Sequence, residues 1–421
     1  MSTLDQGFNT ICVIGLGYVG LPTAAVFASR GVDVLGVDTN ETTVGLINDG
    51  KVHIVEPDLD IMVNGAVATG RLKAATTPAP ADAFIIAVPT PFKEKHKPDL
   101  GYVEAAARSL APVLKKGDLV IIESTSPVGT TQEMTRWLSE ERPDLTFPNG
   151  EYDSEDEFDI FVAHSPERVL PGRVLIELTD NDRVIGGMTK RCSERSAALY
   201  AIAVNGKCLL TTAATAELVK LTENAYRDVN IAFANEISQV ADHLGINVWE
   251  AIDLANHHPR VNILQPGPGV GGHCIAVDPW FIVDSAPEQT PLIQAARSVN
   301  DGKSGHVVKS VLEACQAFNQ PTIACLGLSY KPDIDDLRES PAVDISAQLA
   351  SLETPTLIVE PHIQELPKSL KNKPATELCH LDTALEKADI LVLLVDHKVF
   401  KDLDTSRLEG KKVIDTRGIW R

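Results

Sequence analysis

Residues 10–38 read TICVIGLGYVGLPTAAVFASRGVDVLGVD. A short apolar run opens this stretch, and the pattern Gly-x-Gly-x-x-Gly follows at residues 15–20. An apolar segment at helical spacing comes next, and a second apolar run then ends at the acid Asp38. Short apolar runs that alternate with helices are typical of buried strands in a parallel sheet with helices on both faces. The stretch therefore predicts a strand-helix-strand unit of an α/β fold.

Each glycine of the pattern has a physical reason. Gly15 allows the tight turn after the strand, Gly17 lets the backbone approach a pyrophosphate, and Gly20 lets the helix pack on the strand. The helix N-terminus then presents free N–H groups to the phosphates. Asp38 is placed to accept a hydrogen bond from a ribose 2′-hydroxyl and to repel a 2′-phosphate. The strand, the helix and the acid together favour an NAD site over ordinary turn glycines.

The pattern of apolar and polar residues changes twice along the rest of the chain. Residues 212–244 contain no Pro or Gly and carry apolar side chains at helical spacing, which predicts one long helix. Strand and helix patterns alternate again near the end of the chain. We predict an α/β fold in which two Rossmann-like, doubly wound domains are joined by a central helical domain with that long helix. The expected boundaries are 1–205, 206–315 and 316–421.

Composition limits the partners and the compartment. Asp and Glu number 58 against 38 Lys and Arg, so the formal net charge is −20. This charge argues against nucleic acid or an anionic membrane as a partner, and no apolar run approaches the ~18 residues of a membrane span. Seven cysteines without a Cys-x-x-Cys pair argue against a disulfide framework or a closed zinc site. We expect reduced thiols, a cytoplasmic location and no bound metal.

Residues 267–274 read GPGVGGHC, a glycine-rich loop that ends in the thiol of Cys274. Most free cysteines are small buried hydrophobic residues, but a thiol at the end of such a loop is also a candidate nucleophile. A metal site made of Cys274 with His257, His258 and His273 is an alternative. Its spacing fits no standard ligand set.

The predicted long helix carries Lys220, Asn224 and Arg227 at the spacing i, i+4, i+7, so the three side chains share one face. A solvated polar stripe would produce the same spacing. A cation, an amide and a guanidinium together suit an oxyanion and a phosphate. We therefore regard this face as a candidate binding surface.

Several motifs occur in an order that is highly specific. They are GLGYVG at 15–20, ESTSPVG at 123–129, SPER at 165–168, ELVKLTEN at 217–224, GGHC at 271–274 and GLSYKP at 327–332. With these motifs the sequence resembles the UDP-sugar 6-dehydrogenases of the UDP-glucose/GDP-mannose dehydrogenase family, over essentially the whole chain. The resemblance implies an NAD domain at 1–205, a central domain with the thiol loop and dimer core at 206–315, and a UDP-sugar domain at 316–421. It also implies a homodimer.

The resemblance implies three sets of site residues. Six would be catalytic: Cys274 as nucleophile, Lys220 and Asn224 at the oxyanion, Asp278 and Thr125 at an active-site water, and Glu167 in thioester hydrolysis. NAD would be lined by Gly15, Gly17, Tyr18, Val19, Gly20, Asp38, Thr90, Thr125 and Arg338. The UDP-sugar would be bound by Arg168, Val169, Lys220, Asn224, Arg227, His258, Arg260, Gly271, Tyr330, Lys331 and Arg338.

The implied reaction is a four-electron oxidation of the C6 hydroxyl to a carboxylate, with a thiohemiacetal and a thioester formed on Cys274. UDP-glucose dehydrogenases usually place Lys directly before the Asp of the thiol loop, whereas this chain has Val277. The segment from Pro259 to Trp280 is most similar to the branch that acts on UDP-N-acetyl-D-mannosamine for surface polysaccharides. UDP-N-acetylglucosamine and UDP-glucose stay open as substrates.

Three other functions fit part of the pattern. A nucleotide-sugar epimerase usually carries Tyr-x-x-x-Lys, and none of the six tyrosines has Lys four residues on. A hydroxyacid dehydrogenase shares the glycine pattern but needs no thiol at Cys274. A module that binds NAD or a UDP-sugar without turnover would form no NADH.

Overall fold

The computed structural model describes residues 7–93, 96–170, 172–272, 274–352 and 354–420. The chain forms two compact units, Met1–Thr222 and Glu223–Arg421. The boundary falls inside one long helix, α8, at Ala213–Leu244. This helix confirms the one expected at 212–244, and it ends where Gly245 takes a left-handed φ of +68°.

The first unit contains an eight-stranded sheet in the order β3-β2-β1-β4-β5-β6-β7-β8. Its strands are β1 Thr10–Ile14, β2 Asp33–Val37, β3 Leu72–Ala75, β4 Ala83–Ile86, β5 Leu119–Ile122, β6 Phe161–His164, β7 Arg183–Gly187 and β8 Cys208–Thr212. Its helices are α1 Gly20–Ser29, α2 Glu41–Asn48, α3 Leu59–Ala68, α4 Gly101–Leu110, α5 Thr130–Glu141, α6 Val174–Asp180, α7 Lys190–Tyr200 and the first part of α8. Strands β4, β5 and β6 are buried at every residue, as expected for strands covered on both faces.

One pair of strands departs from the expected parallel sheet. β6 and β7 run antiparallel, with Ala163 opposite Gly187 and His164 opposite Gly186. The connection at residues 165–182 therefore begins and ends at the same edge of the sheet. This edge also carries the carboxyl ends of β1, β4 and β5, so the first residue of β7, Arg183, lies there too.

The second unit contains a five-stranded parallel sheet in the order β11-β10-β9-β12-β13. Its strands are β9 Ile323–Leu326, β10 Thr356–Val359, β11 Thr376–Leu378, β12 Ile390–Leu393 and β13 Lys412–Asp415. Its helices, besides the rest of α8, are α9 Val248–Ala255, α10 Asp278–Ser285, α11 Pro291–Cys315, α12 Pro341–Ala350, α13 Lys368–Lys371, α14 Leu381–Lys387 and α15 Lys398–Lys401. Rossmann-like sheets near both ends and a helical middle confirm the predicted fold class.

Within the described ranges, no helix is both long enough and apolar enough to cross a membrane. An exposed apolar stripe nevertheless runs along α8 in the second unit. Tyr226, Phe233 and Val240 recur every seven residues and are 67%, 50% and 48% exposed. Leu244 extends the same face and is 61% exposed.

Candidate active site

The glycine pattern forms the turn between β1 and α1. Gly15 has a φ of +92°, and a Cβ there would lie 2.6 Å from the carbonyl oxygen of Ala87. A Cβ on Gly20 would lie 1.8 Å from the carbonyl oxygen of Gly15. No described atom lies within 4 Å of a Cβ built on Gly17, so the backbone at this residue faces open space. This cradle fits the approach of a dinucleotide pyrophosphate.

Asp38 lies directly after β2 and closes the turn. Its Oδ2 accepts a hydrogen bond from the N–H of Leu16 at 3.1 Å, and its Oδ1 accepts one from Asn40 at 2.9 Å. An ionised carboxylate offers about four lone-pair sites, so both oxygens keep capacity for ribose hydroxyls. The residue predicted to select NAD is thus fixed beside the glycine turn.

The other predicted NAD residues of the first unit lie on loops at the same edge of the sheet. Thr90 follows β4, and its Oγ1 donates to the carbonyl oxygen of Thr125, after β5, at 2.5 Å. Tyr18 is 46% exposed at the start of α1, next to Val19. Arg338 lies in the second unit, where it is exposed and forms an ion pair with Asp336 at 2.6 Å.

Glu217 connects two of the sequence motifs. This buried carboxylate on α8 accepts hydrogen bonds from the N–H of Gly129 at 2.7 Å and of Thr131 at 2.8 Å. It also accepts one from the Thr131 hydroxyl at 2.6 Å. The N-terminus of α5 is therefore held by α8, which fixes the loop that begins at Thr125.

Glu167, the predicted hydrolytic carboxylate, lies after β6 and is 8% exposed. Its Oε2 accepts a hydrogen bond from Arg183 at 3.2 Å, and Arg183 also donates to Glu123 at 2.5 Å. Burial raises the pKa of Glu123, an effect that the nearby Arg183 opposes and Glu167 reinforces. Sequence reasoning gave Glu123 and Arg183 no role, although each is a charged residue beside an apolar run. Glu123 directly follows β5, and Arg183 is the first residue of β7.

The thiol loop leads into α10 in the second unit. Cys274 is exposed, and its carbonyl oxygen accepts hydrogen bonds from the N–H groups of Val277 at 3.1 Å and Asp278 at 2.9 Å. The Asn224 amide donates to Oδ2 of Asp278 at 2.6 Å, and Asp278 is 2% exposed. Three predicted catalytic residues are thus neighbours in this unit. Lys220 precedes Asn224 by one turn of α8 and belongs to the first unit.

The loop requires its glycines because it packs against neighbouring segments. A Cβ on Gly271 would lie 2.5 Å from the carbonyl oxygen of Glu339, and one on Gly272 would lie 2.9 Å from the ring of Tyr330. The N–H of Gly267 donates to the buried Asn235 side chain at 2.9 Å. Gly271 and Tyr330, both predicted to bind the UDP-sugar, are therefore adjacent.

The remaining predicted substrate residues are spread over both units. Arg168 and Val169 follow Glu167 in the first unit, and Arg168 donates to the carbonyl oxygen of Asp182 at 3.3 Å. In the second unit, Arg227, His258 and Arg260 are exposed and Lys331 is half-buried. His273 lies outside the described residues. The roles of all these residues remain predictions.

Two further features of the second unit were not anticipated. A cavity of about 650 Å³ borders the start of the thiol loop, and the buried Lys303 in its wall donates to the Ser238 hydroxyl at 2.6 Å. Asp333, His362 and His397 lie close enough together to hold a metal ion. However, Nδ1 of His397 already accepts a hydrogen bond from the N–H of Asp333 at 2.9 Å, and its Nε2 lies 3.1 Å from Glu360.

Comparison with known proteins gives a consistent result over the whole chain. Residues 9–204, 214–302 and 324–421 match the NAD binding, central and UDP binding domains of the UDP-glucose/GDP-mannose dehydrogenase family. An NDP-N-acetyl-D-galactosaminuronic acid dehydrogenase from Ralstonia nicotianae is 60% identical over 99% of this chain and 97% of its own length. The UDP-N-acetyl-D-mannosamine dehydrogenase of Escherichia coli is 57% identical over 99% of this chain and 100% of its own.

A solved structure extends the similarity to the fold. The UDP-D-ManNAc dehydrogenase of Pyrococcus horikoshii is 39% identical with a TM-score of 0.87, and the alignment covers 98% of this chain and 96% of that one. The glycine cradle with Asp38 fits the NAD that the first domain binds. The chain therefore belongs to the UDP-glucose/GDP-mannose dehydrogenase family and is an NAD-dependent UDP-sugar dehydrogenase.

Proposed function

We propose that this enzyme oxidises the C6 hydroxyl of UDP-N-acetyl-D-mannosamine to give UDP-N-acetyl-D-mannosaminuronate, for surface polysaccharide synthesis. The observation that carries the proposal is the exposed Cys274 beside the Asn224–Asp278 pair at the end of the glycine-rich loop. The names of the relatives from Escherichia coli and Pyrococcus horikoshii support the choice of sugar. The predicted division at 1–205, 206–315 and 316–421 and the cytoplasmic location are part of the same proposal.

The thiol retains the aldehyde between the two oxidations. NAD, when bound, accepts a hydride from C6 in each of them. The Cys274 sulfur adds to the aldehyde carbon, and the resulting oxyanion is stabilised by the Lys220 ammonium and the Asn224 amide. The Asn224 amide is already oriented, because it donates to the buried Asp278 at 2.6 Å. Oxidation of the thiohemiacetal gives a thioester on Cys274.

Water then releases the acid. Thr125 and Asp278 orient the water, and Glu167 accepts its proton as the oxygen attacks the thioester carbon. The C–S bond breaks and sulfur leaves as thiolate, and the chain returns to its starting state once Glu167 has released its proton to solvent. The covalent link explains why an aldehyde intermediate would not escape.

The diphosphate of the substrate needs local cations because the net charge of the chain is −20. Arg168, Arg227, Arg260, Lys331 and Arg338 would supply them, together with His258. Val169, Gly271 and Tyr330 would contribute packing and backbone contacts. Arg338 would also bridge the substrate to the cofactor.

A homodimer is part of the proposal. The α8 stripe repeats every seven residues and is about half exposed or more at Tyr226, Phe233 and Val240. A two-fold axis would place the same stripe of a second copy against it, and a self-complementary face of this kind is usual in homodimers.

A galacto-configured substrate is a second candidate. The Ralstonia nicotianae relative at 60% identity is named for the N-acetyl-D-galactosaminuronic acid compound. UDP-N-acetylglucosamine and UDP-glucose are less favoured. Val277 is buried at 8% exposure, in the position that Lys usually takes in the UDP-glucose enzymes.

The test is NADH formation with NAD and a panel of four UDP-sugars: the N-acetylated manno, galacto and gluco compounds and UDP-glucose. We expect the highest kcat/KM for the manno compound and two NADH per sugar consumed. A higher kcat/KM for another sugar would correct the substrate alone. One NADH per sugar with free aldehyde would contradict the covalent route, and no NADH with any sugar would favour a binding module.

A further inference from the structure

Three charged side chains meet at the carboxyl edge of the first sheet. Glu123 follows β5, Glu167 follows β6, and Arg183 begins β7. Arg183 reaches this edge only because β7 runs antiparallel to β6. Its Nη2 donates to Oε1 of Glu123 at 2.5 Å and to Oε2 of Glu167 at 3.2 Å.

The guanidinium is held rigidly. Its Nε donates to the Ser165 hydroxyl at 2.8 Å, and its carbon lies 4.1 Å from the centre of the Tyr200 ring. The Tyr200 hydroxyl donates to Glu123 at 2.8 Å, and the Thr23 hydroxyl donates to the same carboxylate at 3.1 Å. Glu123 is therefore an anchor with three donors, and the plane of Arg183 is fixed against it.

Among the described residues, Glu167 has no comparable set of donors. Its Oε1 accepts the N–H of the next residue, Arg168, at 2.5 Å, and its Oε2 accepts Arg183. The side chains of Glu167 and Arg183 are 8% and 6% exposed. A buried carboxylate that loses a charged donor must reorient towards other donors or water, because an unpaired buried charge is costly.

We propose that Arg183 is the positioning residue for Glu167, which it holds in place by bridging it to the buried anchor Glu123. This inference rests on the proposed role of Glu167 in thioester hydrolysis. In that step a water proton passes to Glu167, the water oxygen bonds to the acyl carbon, and the C–S bond breaks. Each oxygen of Glu167 has one fixed donor and keeps a second lone-pair site, so the bridge orients the carboxylate without occupying it fully.

The experiment separates this step from the two oxidations. Wild type, Glu167→Gln and Arg183→Lys are mixed with NAD and the UDP-sugar that the wild type oxidises fastest. NADH is followed in the first turnover, and intact mass is measured after quenching. Arg183→Lys keeps a positive charge but loses the guanidinium plane, in which Nε is fixed on Ser165 while Nη2 donates to both carboxylates. The matched control is Arg195→Lys, since Arg195 is 2% exposed in the same unit and lies over the Phe8 ring.

Glu167→Gln and Arg183→Lys should each release two NADH per site and then slow by about tenfold or more, with an acyl adduct on Cys274 as the main species. KM should fall together with kcat, because slow hydrolysis after the two oxidations leaves kcat/KM nearly unchanged. The Arg195→Lys control should turn over like the wild type without an adduct. A purely structural role for Arg183 would lower the active fraction and would not trap the acyl adduct.

The outcomes distinguish two failures. If Glu167→Gln accumulates the adduct and a folded Arg183→Lys does not, the positioning inference is wrong and the proposed function stands. If Glu167→Gln forms no adduct and Cys274→Ala still makes the acid, the proposed function fails. Should Arg183→Lys not fold, Ser165→Ala decides the matter, because it removes one bond to the guanidinium and a hydrogen bond to Tyr200 while Arg183 and both carboxylates stay in place. Ser165→Ala should accumulate the acyl adduct to a smaller extent. If no adduct forms in this variant, the inference is overturned.

Discussion

At the scale of single residues, the cysteines differ in burial, and this difference predicts which thiols react. Burial raises the pKa of both Cys12 and Cys325 to about 12, so these thiols stay protonated at neutral pH. Cys274 is exposed. We expect iodoacetamide at neutral pH to alkylate Cys274 in the folded protein well before Cys12 or Cys325, as followed by peptide mass spectrometry.

Bound NAD and UDP-sugar should protect Cys274 from alkylation and leave the labelling of the half-buried Cys315 unchanged. Cys274→Ala should abolish acid formation, whereas Cys12→Ala and Cys325→Ala should lower only stability. Rapid alkylation of Cys12 in the folded state would contradict the assignment of that thiol to the core.

We predict that Asp38 selects NAD over NADP, and its hydrogen bonds decide which substitution tests this. Its two oxygens also hold the N–H groups of Leu16 and Asn40, so Asp38→Ala would disturb the turn as well as the cofactor contact. Asp38→Asn removes the negative charge and keeps one acceptor oxygen. We expect it to narrow the preference for NAD over NADP in kcat/KM, mainly by improving NADP. Equal kcat/KM with NAD and NADP in the wild type would show that Asp38 does not select between the two cofactors.

The candidate residues that the sequence can single out are those recognised by a local pattern. The glycines at 15–20, Asp38 and Cys274 follow from turn geometry and loop composition. Arg183 could not be found in this way, because its partner Glu123 lies 60 positions away in the chain. Only the antiparallel pairing of β6 and β7 brings the two side chains together.

At the scale of elements, β6 contains a buried histidine that should make the first unit sensitive to acid. Both ring nitrogens of His164 are without a hydrogen-bond partner among the described residues, and burial lowers its pKa from 6.5 to about 3. Between these values the unfolded chain binds the extra proton. Stability therefore falls as pH decreases through this window, by about 1.4 kcal/mol per pH unit for one proton.

His164→Leu should remove this contribution. We expect the loss in free energy of unfolding between pH 6.5 and 5 to be smaller than in the wild type by about 2 kcal/mol, measured by urea denaturation. The exposed His257→Leu is the control and should leave the pH dependence unchanged. An identical pH slope in wild type and His164→Leu would mean that His164 is not buried as a neutral group.

Elements with a strong local pattern were predictable and others were not. β1 at Thr10–Ile14 and α8 at Ala213–Leu244 follow from apolar runs and helical spacing. The sequence placed the 25-residue α11 only within the central helical domain at 206–315 and not as a helix of its own, because Gly302 and Gly305 interrupt its pattern. Its helical state is stabilised by tertiary contacts that local propensity does not register, such as the buried ion pair of Arg297 with Asp228 at 2.6 Å.

At the scale of the whole molecule, the two sheets share one design. Gly15 and Gly327 have φ angles of +92° and +93°. Each donates its N–H, at 2.8 Å, to the carbonyl oxygen of the last residue of a neighbouring strand, β2 or β10. Asp38 and Glu360 follow those strands and accept from the residue after each glycine. Glu360, however, is 4% exposed and lies 3.1 Å from His397. The carboxylate of Glu360 is therefore occupied by partners inside its own domain. This fits a domain that has the same glycine turn but no dinucleotide site.

The exposed apolar stripe on α8 makes the oligomeric state of the protein testable. Phe233 lies in the middle of the α8 stripe, with Tyr226 and Val240 one heptad to either side. If a second copy covers this stripe, Phe233→Glu buries a charge at the interface, and we expect it to shift the protein from dimer to monomer in sedimentation velocity. Leu292→Glu is the matched control, since Leu292 is 67% exposed but lies on α11 and is not part of the α8 stripe. It should sediment like the wild type. A wild-type monomer, or a Phe233→Glu dimer as tight as the wild type, would require a different explanation for this exposed apolar face.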